Sequence, residues 1–169
     1  MRAFSDTSLP RSDPMHIWIE QSWKPENADT PVINVPLHWH QHHDEHLQVL
    51  TGAVNIFHHG SWHVVTPETG IVVSERGDVH GFHGFPGVGF VLKESVTPAG
   101  EYKVGFFWDA FQDGQPGFLR AARLAWSSDY YPAVTKWKWM DWMLVCVVGG
   151  FTRFCKLGPD VQSNTARKR

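Results

Sequence analysis

Residues 37–52, LHWHQHHDEHLQVLTG, hold five of the chain's eleven histidines. His38 and His40 alternate about Trp39, so on a β-strand both imidazoles project from one face, because side chains repeat every second residue. Glu45 follows His40 after four intervening residues. The arrangement reads as two nitrogen ligands and a carboxylate, delivered by two adjacent strands to one point.

Working outward, residues 32–97 break into short β-prone runs such as VINVPLHWH, EHLQVLT, AVNIFHH, SWHVV, GIVVSE and GFVLKESVT. Gly52, Gly60, Pro67, Gly70, Gly77 and the Pro86-Gly87 pair punctuate them. Short strands with glycine and proline turns predict an all-β antiparallel sandwich or barrel. Upstream, HIWIEQSW (16–23) alternates as a further strand, while the polar residues 1–15, with Pro10 and Pro14, read as a flexible arm. Beyond Pro98 apolar spacing shifts to three and four residues, which predicts helices over 101–112, 116–128 and 136–154. The expected organisation is an arm (1–15), a β-barrel (16–98), a helical extension packed outside it or at an interface (99–157), and a disordered tail (158–169).

Composition narrows the function classes. With 169 residues and 42% hydrophobic content the chain can bury a core without staples, and a formal net charge of -2 excludes nucleic acid as the expected partner. Aromatics at 14%, including nine tryptophans, favour a hydrophobic small-molecule ligand. Cys146 and Cys155 form no C-x-x-C pair and read as reduced thiols. The first residues lack the apolar core of a signal peptide, so a cytoplasmic protein is expected. Residues 136–169, however, carry seven lysines and arginines against two acids, while residues 1–135 carry eight against fifteen. The tryptophan-rich stretch 137–154 is therefore expected either to contact a membrane surface or to dock on a sheet or a second copy in a homodimer.

The spacing His38-x-His40, four residues, Glu45, six residues, Gly52 resembles the first motif of the cupin superfamily, H-x-H-x(3,4)-E-x(6)-G. Gly77 followed by His80 matches part of the second, P-x-G-x-x-H, with Glu75 standing at the proline position. The resemblance covers about residues 32–97. It implies a small cupin barrel or jelly roll whose metal ligands fall on His38, His40, Glu45 and His80. The surrounding phrasing is most similar to small single-domain cupins of microbial, especially fungal, secondary metabolism.

Three imidazoles and one carboxylate suit an octahedral divalent ion with two positions left for water, dioxygen or substrate, so iron, manganese, nickel, cobalt or zinc are the candidate cofactors. Alternation places Leu47, Val49 and Phe82, with Ile33 or Phe90, as an apolar substrate pocket. Glu45 and His42 are the candidate proton-transfer residues. His43 and His46 read as rim residues, His58, His59 and His63 as solvent-facing flanks of a hairpin, and His83 as a competitor to His80. The favoured function is a metal-dependent lyase, isomerase or cyclase acting on a polyketide- or terpenoid-like molecule. A non-haem metal dioxygenase and a non-catalytic ligand-binding cupin are the alternatives.

Overall fold

The short β-prone runs pair into two antiparallel sheets. In this computed structural model, which describes residues 1–26, 31–100, 103–106 and 118–154, the first of two units comprises Met1–Gly100. Its strands are β1 (Arg2–Ser5), β2 (Ile17–Trp23), β3 (Asn34–Trp39), β4 (Asp44–Thr51), β5 (Val54–His58), β6 (Ser61–Val65), β7 (Ile71–Ser74), β8 (His80–Gly84) and β9 (Phe90–Thr97). One sheet runs β1-β2-β9-β4-β7; in the other, this unit's strands run β3-β8-β5-β6. The all-β antiparallel architecture expected from the sequence is the one found.

Period-two patterning explains why these segments are strands. On β4, Glu45, Leu47 and Val49 are buried while the residues between them are half-buried, so one face is dry. Leu47, Val49, Val54, Ile56, Val65, Phe82, Phe90 and Leu92 form the core between the sheets. Burying each of these large side chains is worth about 1.5–3 kcal/mol relative to exposing it. The β5–β6 hairpin closes through His59 and Gly60, with φ of 49° and 81°, the left-handed pair that a two-residue turn matched to strand twist demands. Gly52, with φ 77°, admits no side chain, since a Cβ there would lie 2.0 Å from the Gly89 carbonyl oxygen.

The expected flexible arm is corrected. Residues Arg2–Ser5 pair with β2 from Arg2↔Glu20 to Ser5↔Ile17, and Phe4 stacks on Trp18 at 5.3 Å. The intervening loop is tied by backbone bonds from Asp6 N–H to the His16 carbonyl (2.9 Å) and from Ala99 N–H to the Arg11 carbonyl (2.7 Å). A four-residue strand is too short to show a period, and its partner supplies the order.

The second unit, 101–169, holds two long helices among its described residues, with a two-residue strand, Tyr131–Pro132, between them. Helix α1 spans Phe118–Ser127 and α2 spans Lys138–Phe154, matching the last two expected helices to within two residues. They pack closely because residue 149 is glycine: a Cβ there would meet Trp126 Cβ at 2.6 Å and the Ala122 carbonyl oxygen at 2.7 Å. Asp141, in the first turn of α2, accepts the Thr135 N–H at 2.9 Å and sets a negative charge at the positive end of the helix dipole. Of the expected helix 101–112, residues 103–106 are helical and the rest lies outside the described residues, as do Cys155 and the tail 158–169.

Candidate metal centre

Four side chains converge inside the barrel. One ligand atom from each of His38, His40, Glu45 and His80 lies within 4.8 Å of the other three, and all four residues are buried. β3 and β4, expected as adjacent strands, lie in different sheets. β3 and its neighbour β8 supply His38 and His80 from one sheet; β4 supplies Glu45 from the facing sheet. The bend at residues 40–43 carries the chain from one sheet to the other, so the ligands meet across the interior.

Local chemistry aims each group. The β3–β8 register shifts between Val35 and His38, and this irregularity sets His38 directly opposite His80. His38 Nδ1 lies 2.8 Å from the Pro36 carbonyl oxygen, and His80 Nδ1 lies 2.9 Å from that of Asp78. A carbonyl only accepts, so both Nδ1 atoms carry the proton and both Nε2 atoms present the lone pair that would ligate an ion. Gly77, with φ 87°, donates its N–H to the His40 carbonyl at 2.7 Å, which pins the second motif to the first. Beside it, Asp44 accepts from Arg76 N–H at 2.8 Å, Nε at 3.1 Å and Nη2 at 3.2 Å. That cluster draws the Asp44 carboxyl below its usual range, the Arg76 side chain contributing most.

The donor set fits a divalent ion. Ligands roughly 2.0–2.2 Å from an ion stand about 3 Å apart at neighbouring octahedral positions. His40 Nε2 to Glu45 Oε2 is 3.1 Å and His80 Nε2 to Glu45 Oε1 is 3.5 Å. Without an ion, a proton on His40 Nε2 donates to Glu45 and occupies the same place. Burial pushes the His38 pKa well below 6.5, and the neighbouring His80 and His40 add to the effect. The imidazole is therefore neutral near pH 7, the form that ligates.

The remaining sequence-predicted residues divide. Leu47 and Phe82 stand one alternation step inward from Glu45 and His80, whereas Val49 lies a further step down; all three, with Phe90, belong to the core, and Ile33 packs half-buried against it. His42, the expected proton relay, is exposed and is not one of the four clustered groups. The neighbouring His43, read as a rim residue, is buried with its ring stacked on His40 at 4.0 Å. His46 faces outward toward Thr97 Oγ1 at 2.9 Å. His83 is held on the other face of β8, where Asn55 Nδ2 donates to its Nε2 at 3.2 Å. His59 and His63 are exposed; His58 is half-buried and donates from Nε2 to the Val73 carbonyl at 2.8 Å.

Sequence reasoning missed two interior polar residues, Ser74 and Glu94. Ser74 on β7 pairs with Glu45 in register and is buried, yet its Oγ has no hydrogen-bond partner among the described residues. Glu94 on β9 pairs with Leu47 and is 2% exposed; its Oε2 accepts from Gln21 Nε2 at 2.9 Å. Alternation within VLKESV puts Glu94 on the face of Leu92 and Val96, a signal that was present in the sequence.

No family model and no curated protein matches the chain. Solved structures do. A conserved protein with a double-stranded β-helix domain from Klebsiella pneumoniae is 19% identical with a TM-score of 0.40, over 49% of this chain and 67% of that one. A predicted oxalate decarboxylase from Thermotoga maritima is 14% identical (TM-score 0.40; 48% and 65% of the two chains). The polyketide cyclase RemF from Streptomyces resistomycificus is 21% identical (TM-score 0.37; 48% and 54%). The chain is similar to these proteins over about half of its length. Its match spans about two thirds or less of these chains, and the first cupin motif contributes three of the four clustered groups.

Proposed function

We propose that the chain is a metal-dependent cupin enzyme that performs non-oxidative chemistry, as a lyase, isomerase or cyclase, on a hydrophobic polyketide- or terpenoid-like molecule. The observation that carries the reading is the buried cluster of three imidazoles and Glu45 within 4.8 Å. His38, His40, Glu45 and His80 would hold the ion. A bound divalent ion would supply Lewis-acid polarisation of a substrate carbonyl or enol oxygen.

The chain's own residues carry the rest. Leu47 and Phe82 supply an apolar surface beside the cluster that disfavours water and suits a hydrocarbon-rich substrate. Ser74 and Glu94, one on each strand flanking β4, are protic groups on the same interior. Lyase, isomerase and cyclase chemistry moves a proton between carbon and oxygen, and positioned groups of this kind are what it requires. Glu45 and the stacked His43 are the further candidates for holding that proton.

Metal analysis of the purified chain tests the reading, together with incubation of polyketide-like and terpenoid-like candidates in air and without it. The expected result is one divalent ion per chain and the same product under both conditions. A product formed only in air would assign the site to a dioxygenase. Ligand binding without metal or turnover would make the protein a binding cupin.

A further inference from the structure

Helix α2 carries its large apolar side chains on the face it does not bury. Asp141, Val145, Gly149 and Thr152 are buried on one side. On the other, Trp139, Met143, Val147 and Phe151 recur every four residues, and their exposures are 62%, 46%, 63% and 60%. A contiguous exposed apolar strip marks an interaction site. Among the described residues no helix is long and apolar enough to cross a membrane.

Charge and size select the occupant. Lys136 and Lys138 are exposed at the N-terminal end of α2, where the helix dipole disfavours cations, so their placement serves something outside the helix. Anionic headgroups would satisfy them, with Trp139 at the depth tryptophan prefers in a membrane interface. The helix has 17 residues, about 26 Å at 1.5 Å per residue, and is about 10 Å wide, so its face offers a footprint of about 260 Å². A stable protein interface needs about 800 Å² from each partner. Lipid sets no such threshold, since each apolar side chain inserts on its own. We infer that α2 docks on an anionic lipid surface, with Trp139, Met143, Val147 and Phe151 at the headgroup–acyl boundary and Lys136 and Lys138 against the headgroup phosphates.

Flotation of the full-length chain with phosphatidylcholine vesicles, with and without phosphatidylserine, tests this. Wild type is expected to float with the phosphatidylserine vesicles and less with phosphatidylcholine alone. Trp139→Ser/Val147→Ser/Phe151→Ser changes only exposed positions; it should keep the wild-type melting temperature and lose at least tenfold in vesicle binding. Lys136→Glu/Lys138→Glu should lose the preference for phosphatidylserine, roughly fivefold for each lysine removed. A wild-type chain that stays in the dense fraction with both vesicles overturns the inference. If sedimentation then shows a dimer that the triple variant dissolves, the face belongs to a second copy.

Discussion

The two ends of the barrel interior are built on the same strands and do opposite things. The inward face of β4 starts at Glu45 and continues with Leu47 and Val49; that of β8 starts at His80 and continues with Phe82. Within two residues each inward face changes from ligand to hydrocarbon. At the core end, burial is the favourable term and every removed methylene leaves a void. At the cluster end, burial is the cost, because three imidazoles and a carboxylate have left water for positions that only an ion or a proton satisfies. Stability and function are thus separated along one strand, and substitutions at the two ends should differ in what they damage.

The largest contrast is in metal affinity. Glu45→Ala and His38→Ala should each weaken metal binding by more than about 100-fold, beyond what losing a group outside the ligand set costs, and His38→Ala should leave the metal-free melting temperature close to that of wild type. Metal titration and calorimetry of the same samples check both halves. If the metal-free melting temperature collapses instead, the cluster is a structural part of the core and the contrast breaks. Next in size is the core end. Phe82→Ala should cost about 3–5 kcal/mol in urea unfolding, with the metal-binding stoichiometry of the folded fraction intact.

These two ends also differed in how legible they were. The apolar end could be read from alternation, since Leu47, Val49, Leu92 and Phe90 follow the two-residue period of their strands. In the polar end, His38, His40 and Glu45 were found by spacing and His80 by its resemblance to a second motif. What spacing could not say is that β3 and β4 lie in opposite sheets, because sheet membership depends on pairing between distant residues: Gln21 meets Glu94 from 73 positions away. His43 escaped because it sits in a bend, where no period dictates which way a side chain points. Glu94 escaped for another reason. A charged residue on an apolar face reads as surface until its strand is known to be central, with β2 on one side and β4 on the other.

Acid sharpens the comparison by acting on one end only. Folded, His38 binds a proton less readily than it does unfolded, so below about pH 6.5 the unfolded chain takes up a proton that the folded chain refuses. Stability of the metal-free protein should be at its full value above that pH and fall as the pH drops below it. Each unit of depression is worth about 1.4 kcal/mol. His46 and His58, shifted the same way by partial burial, act in the same direction but face solvent more and contribute less. Urea unfolding from about pH 8 down to about pH 5 reads the slope. His38→Leu should flatten it, whereas Phe82→Leu should lower the whole curve and leave the slope intact.

Ser74 gives the smallest effect and the finest test of where the two ends meet. Its Oγ is buried opposite Glu45 and finds no partner among the described residues, and a buried hydroxyl left in that condition costs about 1–3 kcal/mol. A group kept at such a cost needs a use, and the nearest one is an oxygen of water or substrate beside Glu45. Ser74→Ala should therefore leave the metal-free protein as stable as wild type or up to about 1 kcal/mol more so. The same change should weaken substrate or metal binding by about 10–100-fold, the range expected when a group that orients a ligand is removed. Threonine keeps the hydroxyl and should restore binding where its methyl fits. If Ser74→Ala instead destabilises the metal-free protein and leaves binding untouched, Ser74 belongs to the core end, and the boundary between the two ends moves up by one residue pair.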